Sequence, residues 1–412
     1  MYGKKNILCA YFFSWGNCLG FYSKADELLF NHNKLSDITN KLSDMPKDYP
    51  RFKSGAQLSF RSILIWRIIQ TLVWLAGASI LFFLVFYPVI GISMFWNILI
   101  PVAPALLVVF TGVWRNVCPM ATNALLPRHL GLSKRKRLST TQIAKLNLVA
   151  IIALYVIVPL RHAFFNTNGF ATAILIVSMV LISFVSGFLF EWKSAWCSGL
   201  CPVHQVEKLY GTKSLFAIPN AHCGQCMNCV IPCPDSTPGM HPLSTKKTVY
   251  HKISGYLLVG GFPGFVWGWF HVPDHAGQTG IGQLVEIYTF PLLGAAVTLI
   301  LFGIVKKIFT KTDETTIISI FAASAVACYY WYRIPSLFGF AFYENDGMLV
   351  NLKNSLPRWM INASIISVTI FFFWWIVFRE RKKTSWIIRP EFAIEKENYR
   401  RNSSTTNLKA KA

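Results

Sequence analysis

The chain has 412 residues, 53% of them hydrophobic and 14% charged, with a formal net charge of +22. Several apolar runs reach the roughly 20 residues that a bilayer-spanning helix needs, which excludes a soluble globular domain and points to an integral membrane protein. A basic soluble chain would suggest nucleic acid. Here Lys and Arg lie in loops between apolar runs, where they set topology and meet lipid headgroups, and no basic patch carries a nucleic-acid-binding motif.

In chain order, residues 1–61 are mixed and polar and read as a cytoplasmic segment. Their start, MYGKKNILCAYFFSWGNCLGF, mimics a signal peptide but has no small-residue cleavage site and no lipobox before Cys9 or Cys18. Residues 62–191 carry four expected spans, at about 63–87, 92–114, 146–164 and 170–191, the first two parted by Pro88 and Gly91 in FYPVIGIS. Residues 192–254 form a cysteine-rich loop. Residues 255–378 carry four more spans, at about 255–273, 283–305, 314–338 and 357–378, and residues 379–412 are a basic tail.

With eight spans, the N-terminal segment, the SKRKR loop, the cysteine loop, KKIFTK and RERKK all fall on one side. The positive-inside rule then places both termini and the loop cysteines in the cytoplasm, as in a multi-pass protein of a prokaryotic inner membrane. Cysteine chemistry asks for the same side. The ten cysteines have metal-site spacing and not that of a disulfide framework, and such thiolates need a reducing compartment.

The densest cysteines are in CGQCMNCVIPCP, Cys223 to Pro234, spaced C-x2-C-x2-C-x3-C-P. Three thiolates in C-x2-C-x2-C wrap one face of an iron–sulfur cluster, and the last cysteine typically ligates a second one. The alternative, a zinc site, favours two CxxC pairs or Cys/His mixtures. Two fragments resemble partial copies: AWCSGLCPVHQ, with Cys197, Cys201 and Pro202, and WRNVCPMATNALLP, with Cys118 and Pro119. Each follows the cytoplasmic end of an expected helix, so both can approach one point at the membrane surface. Cys118, Cys197 and Cys201 with Cys233 would make the four ligands of a second cluster. The first cluster keeps Cys223, Cys226 and Cys229, and Cys9 or Cys18 would supply its missing ligand. Against this stand incidental thiols at Cys9 and Cys18, and a redox-active thiol set without a cluster at the other three. Cys328, within the seventh span, reads as a small buried apolar residue.

The fold class is thus all-α integral membrane, with about eight transmembrane helices and a cytoplasmic ferredoxin-like iron–sulfur loop. At the outer end, His162, His271 and His275 are candidate axial ligands of a haem b, or line a quinone site with Arg161, Asp274 and Glu286, or simply face headgroups. Arg67 pairs within the bundle or snorkels to the interface. His204, His222 and His251 flank the cysteines as candidate imidazole ligands. Lys193, Lys208 and Lys213 are candidate steering charges for an acidic soluble partner. No paired carboxylates of catalytic spacing, phosphate loop or nucleophile elbow is present, which argues against hydrolase or ATPase chemistry.

CSGLCP and CGQCMNCVIPCP beside multiple spans resemble the NapH/NosR/CcoG-type membrane-bound [4Fe-4S] ferredoxins, over roughly the second to fifth spans. This chain has one ferredoxin motif where that group usually has two in tandem, and Trp114 stands where the first cysteine of the usual first C-x3-C-P would be. The resemblance implies one or two [4Fe-4S] clusters on a membrane platform. It also implies single-electron relay between the quinone pool or a soluble ferredoxin and a partner membrane oxidoreductase, by an electron-transfer subunit and not a stand-alone enzyme. Two other readings are an assembly factor that reduces a metal for insertion into a partner enzyme, and a structural subunit of a redox complex.

Overall fold

The computed structural model describes residues 59–380 except 137, 191–192, 217, 223–240, 246–247, 276–279, 310–312 and 344–345, and also residues 387–388. Seven helices among them are long and apolar enough to cross a membrane. They are α1 (Phe60–Phe86), α2 (Pro88–Val109), α5 (Thr140–Ile157), α6 (Gly169–Leu189), α9 (Ile281–Ile308), α10 (Glu314–Leu337) and α11 (Arg358–Phe378). Between α2 and α5 lie two short helices, α3 (Thr111–Val117) and α4 (Pro119–His129). A third short helix, α7 (Pro202–Tyr210), follows a π-helical segment at Lys193–Leu200.

The span expected at 255–273 is instead α8, a helical run over 249–269 with a π-helical segment at Leu257–Gly261. Glycines and the polar His251 and Lys252 dilute its hydropathy, so it is not among the seven. It nevertheless follows α5 along its length. Lys145 sits over the Tyr250 ring, Tyr155 donates to the Leu257 carbonyl, and Trp269 donates to the Val158 carbonyl. It also packs on α10 and on α9, and against α9 the helices approach as small residues permit in membranes. A Cβ on Gly264 would stand 1.9 Å from the Gly294 carbonyl oxygen, and one on Gly268 2.2 Å from that of Phe290. Gly260, Gly264 and Gly268 share one helix face at four-residue spacing.

Start signals are local and follow the sequence. Ser139 and Gln142 form a reciprocal capping box on α5, Asn168 caps α6, Thr248 caps α8 and Asp313 caps α10. The helix expected at 92–114 stops at Val109, because Phe110 leaves helical geometry (φ −122°, ψ 43°) and the chain restarts as α3. Half of α10 is buried against 11% for α1, so among the described residues α10 is the most buried of the seven and α1 the least. Ile317, Phe321 and Val326 of α10 pack with Val108, Leu209 and Phe302 in the main core.

Two segments fold back into the bundle at the end where α2 and α6 finish. Helix α4 lies along the last turns of α6, with Asn123 donating to the Val180 carbonyl and to Ser183 Oγ. Gly187 makes this possible, since a Cβ there would stand 1.9 Å from the Ala124 oxygen. Helix α7 returns toward the end of α2, where the Leu215 amide donates to the Val109 carbonyl. Ile218–Pro219 then pairs in parallel with Ile387–Ile388, bringing the tail beside the cysteine loop.

Candidate metal centre

Both Cys-Pro dipeptides do the same local work. Cys118 is the N-cap of α4 and Cys201 the N-cap of α7, with Pro119 and Pro202 at the first helical position. Proline there fixes φ and has no amide to leave unpaired, and it keeps the preceding cysteine out of helical geometry. Each sulfur therefore stands at a helix N-terminus. The amides of Ala121 and Met120 favour the thiolate of Cys118, and the amide of His204 that of Cys201. Burial opposes this and prevails: it pushes the Cys118 thiol up and the Cys201 thiol up to about 12.

Cys197, on the π-helical segment, completes the group. It is 5% exposed and packs with Trp196, Ala121 and Leu125, against which Cys118 and Cys201 also pack. Met120 and Met179 join the same cluster. Thus the three thiols expected to meet lie in one packed cluster. Gln205 of α7 donates to Asn147 and to the Ser198 carbonyl. Asn147 is two turns into α5 and Met179 nearly three turns before the end of α6, so the thiols sit about 10–15 Å inside the helix ends. None of the four described cysteines forms a disulfide, and Cys328 lies on α10 outside the cluster.

Beside the thiols is a buried ionic triad absent from the sequence reading. Arg115 Nε donates to Glu207 Oε1 and Arg115 Nη2 to His204 Nδ1, with His204 Nδ1 3.8 Å from Glu207 Oε2. All three are at least nine-tenths buried. Arg115 lowers and Glu207 raises the pKa of both Cys118 and Cys201, so the two charges act in opposite directions at the sulfurs. His204, a candidate imidazole ligand, is thus Arg115's partner. His251 faces Thr248 Oγ1 at 3.0 Å.

Asn116 ties the cysteine loop to this place. Its Nδ2 donates to the Pro219 carbonyl at 2.9 Å, and its Oδ1 accepts from the Ala221 amide at 2.9 Å. Gln70 in turn donates to the Asn116 carbonyl, and Arg67 to Gln70. Arg67 therefore pairs within the bundle and does not snorkel. The chain leading to Cys223 is anchored two residues from Cys118, and His222 is 1% exposed. Cys223, Cys226, Cys229, Cys233, Cys9 and Cys18 lie outside the described residues, as does the Lys193 side chain. Lys208 is buried and Lys213 donates to the Val377 carbonyl, so neither is the free steering charge expected of it. Among the described residues, no three His, Cys, Asp or Glu side chains converge to hold a single metal ion.

At the opposite end, His162 is committed on both ring nitrogens: Nδ1 lies 2.6 Å from Asp274 Oδ1 and Nε2 3.0 Å from the Trp269 carbonyl oxygen. Arg161 is sandwiched between the Trp96 and Trp269 rings, and burial holds its guanidinium down at about 9. His271 Nδ1 is 2.7 Å from the Trp267 carbonyl oxygen, and His275 faces Glu286 at 3.4 Å. The adjoining cavity, lined by His162, Asp274, Arg333 and Asp346, measures about 40 Å³, room for roughly three waters. Both ring nitrogens of His162 are thus engaged by protein groups. Comparison with protein-family models, with curated proteins and with solved structures finds no match to this chain.

Proposed function

We propose that the protein is a membrane-anchored [4Fe-4S] electron carrier, relaying single electrons to or from a partner oxidoreductase. The observation that supports this most is the meeting of Cys118, Cys197 and Cys201 in one buried cluster, with the chain leading to Cys223 pinned by Asn116 beside it. The donor set fits. Cys118, Cys197, Cys201 and Cys233 would hold one cluster, and Cys223, Cys226 and Cys229 most of another. A cubane is larger than one ion, so its thiolates stand farther apart than those of a mononuclear site. Bound there, a cluster supplies one-electron redox chemistry at a potential set by charge, hydrogen bonds and burial. The chain's own part is to place thiols at two helix N-termini, exclude water and hold Arg115 paired with Glu207 beside them.

Iron and acid-labile sulfide per chain, with EPR after dithionite, test the proposal on anaerobically purified protein. About eight irons with coupled signals are expected. About four irons would confine the cluster to the Cys223–Cys233 loop, and a spectrum unchanged in Cys226→Ala would refute the assignment.

A second reading rests on Met120 and Met179 beside the three thiols. Thioethers with thiolates are soft donors suited to Cu(I), as an assembly factor for a metal enzyme would need. Cu(I) titration distinguishes the two: binding lost in Cys197→Ser and weakened in Met120→Leu supports the assembly reading.

A further inference from the structure

The chain has no Asp or Glu from residue 49 to residue 190, and in that stretch the turn 133–136 is held in an unusual way. The Lys134 amide donates to the Phe188 carbonyl at 2.7 Å, the Lys136 amide to the Leu189 carbonyl at 3.1 Å, and Ser133 Oγ to the Gly187 carbonyl at 2.8 Å. Between the two pinned lysines, Arg135 has φ 51°, the one non-glycine residue with positive φ among those described. Such a conformation is disfavoured for a residue with a Cβ. It persists only where the surroundings fix it, and it concentrates at ligand sites. Lys134, Arg135 and Lys136 are all exposed, and no carboxylate pairs with them among the described residues.

We propose that this turn is a binding site for the phosphate headgroup of an anionic membrane lipid, in the leaflet where α6 ends. Setting topology requires only positive charge and gives no reason for a pinned, left-handed backbone. The turn's apolar neighbours name the occupant. Leu130 and Leu132 are exposed on the same loop, 37% and 53%, and Leu181, Ile182 and Val185 are exposed along the adjoining α6. Lys134 Nζ lies 5.3 Å from the centre of the Phe188 ring. Cations above a continuous apolar surface match a lipid with its phosphate at the interface and its chains along α6. An acidic protein would have to leave those leucines in water or cover them. The inference goes beyond the electron-carrier reading and does not depend on it.

The test titrates phosphatidylglycerol, and separately phosphatidylcholine, into the detergent-purified full chain, with bound lipid counted by native mass spectrometry. Arg135→Gln should weaken phosphatidylglycerol binding roughly fivefold, and the triple change K134Q/R135Q/K136Q about a hundredfold, with phosphatidylcholine unaffected. Arg135→Gly, which removes the charge and relieves the backbone, should match Arg135→Gln. Unchanged phosphatidylglycerol binding in the triple variant overturns the proposal. So does loss of binding to an acidic soluble ferredoxin while lipid binding stays intact, which would make the turn a protein dock.

Discussion

Arg115→Met isolates the buried triad. Arg115 and Glu207 are 7% and 1% exposed, and the Glu207 carboxylate loses its guanidinium partner in this variant. Removing one partner of a buried ion pair typically costs about 3–5 kcal/mol, because the other charge stays desolvated and uncompensated. Replacing both by apolar groups of similar volume is often neutral or stabilising by about 1–4 kcal/mol. The single variant should therefore unfold well below the wild type, and R115M/E207M should recover most or all of the loss. The two charges also oppose each other at Cys118 and Cys201. A carboxylate no longer offset by the guanidinium repels thiolates, so Arg115→Met should purify with less iron and the double variant with near-normal iron. Thermal unfolding in detergent micelles, followed by tryptophan fluorescence, and iron per chain read the two effects separately. Equal destabilisation of the single and double variants, or unchanged iron in Arg115→Met, would refute the reasoning.

Gly264→Leu should prevent α8 and α9 from closing, since even a Cβ meets the Gly294 oxygen at 1.9 Å; loss of folded protein on size-exclusion chromatography checks it, and a monodisperse variant of normal stability contradicts it. Gly187→Val should push α4 off α6 and lower bound iron, whereas Gly77→Val, where a Cβ meets nothing within 4 Å, should not. Asp346 is pushed from 3.8 up to about 6 by burial and by Asp274. Its folded pKa is the higher one, so its contribution is fully present below about pH 4 and is lost as pH rises through 6. Asp346→Asn should flatten that part of the stability profile relative to wild type, as measured by melting temperature from pH 4 to 7.

Features that depend on a few consecutive residues were legible in the sequence. The apolar runs gave seven of the eight expected spans, and the two Cys-Pro dipeptides marked places that prove to be helix N-caps. The eighth run was displaced because its apolar signal is diluted by glycines, yet those glycines, at 260, 264 and 268, carried their own message of close helix contact. The triad was hidden for a different reason. Arg115 and Glu207 are 92 positions apart, each unremarkable in a polar stretch, and only the return of α7 into the bundle brings them together. Asn116 was equally silent, because a side chain that binds backbone amides and carbonyls leaves no pattern in its partners. At the opposite end, His162 and His275 lie against the Asp274 and Glu286 carboxylates named beside them from the sequence. What periodicity could not show is that the Asp274 carboxylate and the Trp269 carbonyl occupy His162.

The depth of the thiols follows from these same contacts, and the proposed cluster would give the re-entrant segments their purpose. A group of thiolates some 10 Å below the helix ends is costly unless positive charge meets it, since a low dielectric magnifies unpaired charge. Lysines at the surface are too far away to do this. Short helices that begin inside the bundle are not, because their first amides have no intrahelical partners and carry the positive end of the helix dipole. The chain achieves this twice, with Cys118 at the start of α4 and Cys201 at the start of α7. Broken helices in the bilayer are tolerated where their ends are covered by protein, and Gly187, Asn123 and Asn116 supply that cover. The Cys-Pro dipeptide is thus a device for starting a helix at depth, and exchanging Pro119 or Pro202 for alanine should loosen the thiol's position before it alters the fold.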